Sequence, residues 1–553
     1  MAAEKIQILP LRRVASNSPS SGDYRSSESE SPHHKANTKK SRTSKPKVRS
    51  GCVTCKIRRV KCDETKPECN RCTSTGRKCD GYVVKPRKKR SDCTLLKVPD
   101  STVDIGPAEL RALGFFHQKT APSLSSYFDA DFWTRLVFQM SYAEPSIRHA
   151  MIALGTLHEQ REQGLKTVPL MSADVSPMSG NGAGNLATGD HFAIAQYNKA
   201  ITFLSKRMSS DSAIEIALLA CILFVCIEFL RGDPEPAVKH FKSGMTIALA
   251  SLSKSNTPGA ASSLERIKEH MLPFFNRIEL LSTLFGNDAS WNYPVDLPEA
   301  VPDEFQNLRE ARDSIVHIAN LTIRFIRYMK FRKYNHLVFA DDLAQQQALL
   351  RQMEVWSSTL DKMLLADTIT DRDLDAAKTL RIHQLVAGMW LRKCTIPEEC
   401  GCDQSMTEFE TTVSLAEAIQ SVAGTRDQRR AMNSSTFLFD MEIISPLYYV
   451  AGKCRHPVIR RRALAVLKNT QRREGLWDSN VAAAVAERVM HIEEANLTFL
   501  DGSELPDEKS RVHNSQITSE TGTNRTKHDI TFHTKPNGID GHWKIWKERI
   551  CVS

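Results

Sequence analysis

The chain of 553 residues has no apolar run long enough to cross a bilayer. The longest, Ile216 to Ile227, lies between Glu215 and Glu228 and falls well short of the roughly 20 residues a membrane helix needs. It reads as a buried helix, and no membrane partner is expected. The start, MAAEKIQILPLRRVASNSPSSG, lacks the apolar stretch of a secretory signal, so an oxidising compartment is not expected. Residues 1–50 are rich in Ser, Lys and Arg and carry almost no large apolar side chain after Leu11. They cannot offset their ordering entropy and are expected to be disordered. Catalytic signatures fail as well. His158-Glu159-Gln160-Arg161-Glu162 has a glutamate where a zinc-protease helix needs its second histidine. Gly180, Gly182 and Gly184 follow no strand and meet Asn185 where a dinucleotide fingerprint fails. No nucleophile and base pair stands out, and an enzyme is not expected.

What is present is concentrated near the N-terminus. The formal charge of +11 comes from 75 Lys+Arg against 64 Asp+Glu. Residues 1–100 carry 25 of those basic and 10 of the acidic side chains, which leaves the rest of the chain slightly acidic. The excess is densest over residues 37–90, with 19 basic and 4 acidic side chains, a block suited to a polyanion such as DNA. Six of the 14 cysteines fall between Cys52 and Cys79. In a reducing compartment such a cluster points to metal.

The six, Cys52, Cys55, Cys62, Cys69, Cys72 and Cys79, spell C-x2-C-x6-C-x6-C-x2-C-x6-C. Cys52/Cys55/Cys62 recurs as Cys69/Cys72/Cys79 with an offset of 17, so two pseudo-symmetric half-sites are expected. Zinc takes four tetrahedral ligands and favours thiolates. Two Zn²⁺ ions need eight ligand positions, which six cysteines supply only if two of them bridge. Symmetry selects the first of each half, Cys52 and Cys69. A single-zinc module built on Cys52/Cys55 and Cys69/Cys72 would strand Cys62 and Cys79 at matched offsets. About 30 residues with almost no large apolar side chains cannot make a core, so the metal has to supply the folding energy, on the order of 10–16 kcal/mol for a structural zinc site at neutral pH. Six thiolates and two Zn²⁺ leave a small negative residue that the surrounding Lys and Arg outweigh.

The segment GCVTCKIRRVKCDETKPECNRCTSTGRKCDGY resembles the fungal Zn2Cys6 binuclear-cluster DNA-binding domain. The resemblance implies a short helix after each C-x2-C, the first of them in the major groove of double-stranded DNA, reading CGG-type half-sites. The basic pair before the third cysteine is Arg58 and Arg59, which the resemblance makes the base readers. Lys56, Lys61, Arg71 and Lys78 would hold phosphates. Pro67 fills the family's loop proline. Arg-Arg stands where Lys-Lys is frequent, which keeps the charge and changes the fork geometry. The run KPRKKR, with Lys85, Arg87, Lys88, Lys89 and Arg90, reads as a nuclear import signal beside a DNA module. The better-known members of that family dimerise through a heptad coiled coil just after the cluster, whereas residues 81–110 carry prolines and no sustained a/d repeat. A homodimer is thus open, without that device.

From about residue 108 helical periodicity takes over. Pro145 precedes Ile147, Ala150, Met151, Leu154 and Leu157 on one face. Asp190 is placed to cap a helix presenting Ala193, Tyr197, Ala200, Ile201 and Leu204, after a flexible insertion over 168–189. A helix around 213–230 and another from Pro236 read as a hairpin about Gly232-Asp233-Pro234. Leu308, Ala311, Ile315, Ile318, Thr322, Phe325 and Met329 form a long face, and further helices are expected over 341–364, 371–393, 406–423, 437–469 and 479–499. FFHQKTAPSLSSYFDADFWTRLVFQMSYAEPSIRHAMIALGTLHEQ and CIEFLRGDPEPAVKHFKSG resemble the helical domain of fungal-specific transcription factors. Cys221 and Cys226 are expected in the core, Cys400 and Cys402 in a loop, and Trp543 and Trp546 in hairpin packing.

The expected architecture is therefore a small zinc-stabilised binuclear-cluster domain plus a large all-α helical domain, with a disordered N-terminus and linkers. The divisions are 1–50 disordered, 51–82 cluster, 83–107 basic linker, 108–502 helical regulatory domain, 503–528 disordered, and 529–553 a tail with a hairpin around Asn537-Gly538. The resemblance implies a nuclear regulator of RNA polymerase II genes, often of a metabolic or biosynthetic gene cluster, working with the transcription machinery or coregulators. The alternatives are a ligand-binding or enzymatic helical domain with a nucleic-acid anchor, and a corepressor that does not bind DNA.

Overall fold

A computed structural model describes residues 51–81, 105–166, 182–208, 213–253, 265–284, 301–366, 368–422, 437–440, 442–498, 504–519 and 527–552. They divide between two compact units, the cluster segment and the chain from Ile105 onward.

In the larger unit the central element is the helix Ile214–Arg231, in which every residue from Ile216 to Leu230 is buried. A helix apolar on all sides has to be enclosed by others. Pro145–Lys166, Gly182–Arg207, Pro234–Ser253 and Leu272–Leu284 share its core. Its end is set locally. Gly232 adopts a φ of 71°, its N–H donates to the Phe229 carbonyl and that of Asp233 to the Glu228 carbonyl, closing the last turn as glycine in the left-handed region allows. The next helix then starts at Pro234, two residues before the expected Pro236.

A second core forms around Leu308–Arg332, Ala340–Leu364 and Asp371–Lys393. All seven residues of the expected face from Leu308 to Met329 are buried. Asn307 accepts from the Glu310 N–H at 3.0 Å. Thr370 and Asp373 cap the helix after them reciprocally, the arrangement that satisfies two orphan backbone donors at once. Cys221 and Cys226 are buried in the first core; Cys402 is buried and Cys400 exposed in a 3-10 turn, Glu399–Ser405.

Several expectations need correction. Asp190 caps nothing, because the helix runs Gly182–Arg207 and contains it. Residues 182–189 of the expected insertion are therefore helical, while 167–181 lie outside the described residues. The span 437–469 holds a short strand β1 (Phe437–Leu438) and two helices, Ile444–Lys453 and Pro457–Thr470, the second beginning at a proline. Strands β2 (Arg473–Glu474) and β3 (Trp477–Asp478) complete a small sheet in the order β1-β2-β3. The segment 503–528, expected to be disordered, contains strand β4 (Val512–Ser519), and the unit is not purely helical at its C-terminal end. β4 pairs antiparallel with β5 (Lys527–Thr534), and β5 with β6 (Lys544–Cys551) across a loop holding Asn537 and Gly538. The sheet buries Val512, Ile530 and Phe532 against Val485 and Val489 of the helix Ser479–Glu494. Trp546 packs on Phe532 at 5.4 Å between centroids, and Trp543 meets Tyr334 edge-on at 5.0 Å.

One carboxylate fastens this sheet to the helices. Glu493, fully buried, accepts from the Val512 N–H at 2.8 Å and from Arg455 Nη2 at 2.8 Å, and also pairs with Arg460. Burial pushes its carboxyl up, but Arg455 and Arg460 outweigh burial and draw it down to about 2. A depressed carboxylate contributes stability above its unfolded value of about 4.3 and loses it as pH falls through the folded value near 2. Glu493→Gln leaves two buried guanidinium groups short of a partner and should destabilise the larger unit by about 3–5 kcal/mol. Denaturant melts of the full chain at pH 7 check this, and the variant's stability should fall less than the wild type's on acidification from pH 4.5 to pH 2.

Candidate metal centre

The cluster unit buries almost nothing but sulfur. Its buried residues of apolar type are the six cysteines alone, while Ile57 and Val60 are 75% and 39% exposed. Two short helices, Val53–Ile57 and Asn70–Thr73, follow Cys52 and Cys69. Each therefore starts inside its C-x2-C and includes the second cysteine, rather than following the motif.

The internal duplication is kept in the hydrogen bonds. The Cys52 N–H donates to Cys62 Sγ at 3.4 Å and the Cys69 N–H to Cys79 Sγ at 3.5 Å. The Val60 N–H donates to the Cys55 carbonyl, and that of Arg77 to Cys72. Each half also lends an aspartate to the other. Asp63 accepts from the Asn70 N–H at 3.0 Å and the Arg71 N–H at 3.2 Å, capping the second helix. Asp80 accepts from the Thr54 hydroxyl at 2.8 Å on the first helix. The Thr65 hydroxyl, with the backbone donors of Arg71 and Asn70, holds the Asp63 carboxyl down to about 2. Neither the cysteine spacing nor the density of cations points to these two carboxylates. Their signal was present, since Cys62-Asp63 and Cys79-Asp80 repeat with the cysteine offset.

The ligand atoms of Cys52, Cys55, Cys62 and Cys69 lie within 4.8 Å of one another, as do those of Cys52, Cys69, Cys72 and Cys79. The two sets share Cys52 and Cys69, whose sulfurs stand 3.5 Å apart, with Cys55 to Cys69 at 3.7 Å. A tetrahedral zinc site with Zn–S near 2.3 Å has S to S edges of about 3.8 Å, so the thiols fit. Burial raises the thiols of Cys52, to about 12, and of Cys55 and Cys69. Such thiols stay protonated unless a dication stabilises their anions. Gly51 also belongs to the centre's packing, because a Cβ there would lie 2.9 Å from Cys62 Cβ.

Of the expected DNA contacts, Lys56, Arg59, Lys61, Arg71 and Lys78 are exposed and Arg58 is half-buried. Arg58 Nη1 donates to Thr75 Oγ1 of the second half at 3.4 Å. Arg59 has a φ of 56°, at the position matched by Gly76 in the other half, where φ is 65°. Lys85, Arg87, Lys88, Lys89 and Arg90 lie outside the described residues.

Residues 50–89 match the fungal Zn(2)-Cys(6) binuclear cluster domain, and residues 111–388 match the fungal specific transcription factor domain. The chain belongs to the fungal Zn(2)-Cys(6) transcription regulators. It is thus a transcription regulator and not an enzyme, and its segment 50–89 is a binuclear zinc cluster domain whose thiols are placed to bind metal. Among similar proteins, the aspercryptin biosynthesis cluster-specific transcription regulator atnN of Emericella nidulans is 23% identical, over 81% of this chain and 87% of the relative. The transcription regulator lscL of Purpureocillium lilacinum is 31% identical over 35% of this chain and 47% of its own length. The lysine biosynthesis regulatory protein LYS14 of Saccharomyces cerevisiae is 51% identical over 9% of this chain and 7% of its own.

In this regulator a chelator should abolish amide protection throughout 51–81, since no apolar core remains when the metal is gone. Asp63→Ala should do something narrower. Hydrogen exchange at neutral pH should speed up at the Asn70 and Arg71 amides, while the Val53 amide, which donates to the Gly81 carbonyl, keeps its protection. Unchanged exchange at Asn70 and Arg71 would show that the carboxylate holds nothing.

Proposed function

We propose that the chain is a nuclear regulator of RNA polymerase II genes that reads CGG-type triplets in double-stranded DNA through its cluster. The observation that carries this reading is the pair of four-thiol sets sharing Cys52 and Cys69, directly beside the exposed Arg59 and half-exposed Arg58. In the proposed centre Cys52 and Cys69 bridge two Zn²⁺ ions, Cys55 and Cys62 complete one and Cys72 and Cys79 the other. Arg58 and Arg59 contact base edges, where a guanidinium fork suits guanine O6 and N7. Lys56, Lys61, Arg71 and Lys78 hold phosphates and set the register. The run Lys85, Arg87, Lys88, Lys89 and Arg90 acts in nuclear import. The names of its relatives, one a regulator specific to a biosynthesis cluster, favour a biosynthetic gene cluster as target. The transcription machinery or coregulators are its expected protein partners, and a homodimer stays open, without a heptad coil after the cluster to join it.

The left-handed backbone of Arg59 allows its two roles to be separated. Arg59→Gly suits a φ of 56°, so it should keep two zinc ions per chain while weakening preference for the triplet by roughly 5- to 150-fold, as removing one bidentate pairing does. Arg58→Ala with Arg59→Ala should abolish the preference. Binding assays against triplet and scrambled duplexes, beside metal analysis, check both; unchanged preference would refute the reading. Cys52→Ser should release more zinc than Cys62→Ser, because a bridging thiolate serves both ions. Replacing Lys61 or Arg71 should weaken binding to every sequence alike and reduce the salt slope by about 0.9 for each phosphate left without its cation.

A further inference from the structure

The larger unit contains a cavity of about 100 Å³ between its two main cores. Its apolar wall includes Leu280, Ala319, Ile323 and Trp390, the first three of which form a small cluster separate from both cores. Arg277, Arg312, Thr322 and Asp440 also line it. An engineered apolar cavity of roughly 150 Å³ takes up benzene, so this smaller space suits a short unbranched chain and not a ring.

The charged groups are unequally satisfied. Arg312 pairs with Asp129 at 2.7 Å and Asp313 at 2.8 Å. Asp129, fully buried, also takes Arg277 Nη1 at 2.6 Å, and that same Nη1 lies 3.3 Å from Asp440. Glu442 is occupied by Arg472 at 2.8 Å and by the Ser126 hydroxyl. Arg277 stacks on Phe274 with its guanidinium carbon 4.2 Å from the ring centre. Both carboxylate contacts therefore use one nitrogen of Arg277, and its Nε and Nη2 have no hydrogen-bond partner although the side chain is only 5% exposed. The Thr322 hydroxyl, fully buried, has none either. Nε–H and Nη2–H are the parallel pair on one edge of a guanidinium, the edge that grips a carboxylate through both oxygens. Leaving such donors unmade in a buried site costs free energy.

We infer that this cavity is a binding site for a small monocarboxylate with an apolar body, its two oxygens on Arg277 Nε and Nη2 and its body among Leu280, Ala319, Ile323 and Trp390. The unoccupied guanidinium edge in an apolar chamber takes an acceptor head on a short hydrophobic tail, whereas Asp440 Oδ1, in the same wall and also without a hydrogen-bond partner, would take a donor head, which hexylamine probes. The site concerns the larger unit alone and stands whether or not Arg58 and Arg59 read DNA. A molecule bound there and not to the unfolded chain raises the stability of that unit by mass action.

Titration calorimetry of the full zinc-loaded chain with hexanoate, 1-hexanol and hexylamine tests it. Hexanoate should bind saturably, one per chain, with a dissociation constant on the order of millimolar or tighter, and at least tenfold more tightly than either control. Arg277→Lys keeps a cation for Asp129 but removes the fork, and should weaken hexanoate about tenfold or more while leaving 1-hexanol nearly unchanged. Ala319→Leu fills the chamber without touching Arg277 and should eliminate hexanoate binding while the thermal melt stays cooperative. The inference is overturned if hexanoate shows no saturation, as a chamber holding only water would, or if either control binds as well. Hexanoate binding unchanged in a folded Ala319→Leu chain would place the site elsewhere and overturn it equally.

Discussion

Six thiols have to be brought together in a segment with no apolar core to gather them, and the cluster unit depends on that constraint. Hydrophobic burial cannot do it, because Ile57 and Val60 stay in solvent. The metal supplies the attraction and the polypeptide supplies geometry. Each short helix places two cysteines of its half, the third cysteine returns to accept the N–H of the first, and an aspartate next to it crosses to the other half. Asp63 and Asp80 thus make each half a condition for the other. The same economy leaves the outer surface to cations, which is what a polyanion-binding module requires.

The larger unit works by the opposite means. Its helices bury wide apolar faces, and its specific joints are buried ions shared between segments distant in sequence. Asp129 ties the region after residue 121 to the helices Leu272–Leu284 and Leu308–Arg332 through Arg277 and Arg312. Glu474 on β2 accepts from the Glu442, Ile443 and Ile444 N–H groups and so caps the helix Ile444–Lys453 from outside it. Glu493 does the same for strand β4. Such pairs are weak as net stabilisers but severe when broken, which makes them selectors of one packing among many that the apolar faces would allow.

How far this could be read in advance varies with the kind of signal. The long face from Leu308 to Met329 was legible because helical periodicity is a property of consecutive residues. The helix Asp371–Lys393 was legible for the same reason, with its capping threonine in place. Asp190 misled because a capping residue means little when the helix already runs through it. Strand β4 was illegible: Val512-His513-Asn514-Ser515-Gln516-Ile517-Thr518-Ser519 has no clean alternation, and its pairing is provided by β5 and its cover by Val485 and Val489. The Asp63 and Asp80 caps were legible in principle through the offset of 17, and the Arg277 edge was not, since nothing local distinguishes that arginine from the others.

The sequence by itself determined the metal, its number of ligands and the division into a basic head and a helical body, because ligand count, charge density and periodicity are local sums over neighbouring residues. Only the tertiary structure decided that residues 512–551 form a sheet, that Glu493 ties that sheet to the helices, and that Arg277 keeps an unpaired edge beside an apolar chamber. Those are relations between residues tens to hundreds of positions apart, and they exist only once packing has chosen which buried groups meet and which are left without partners.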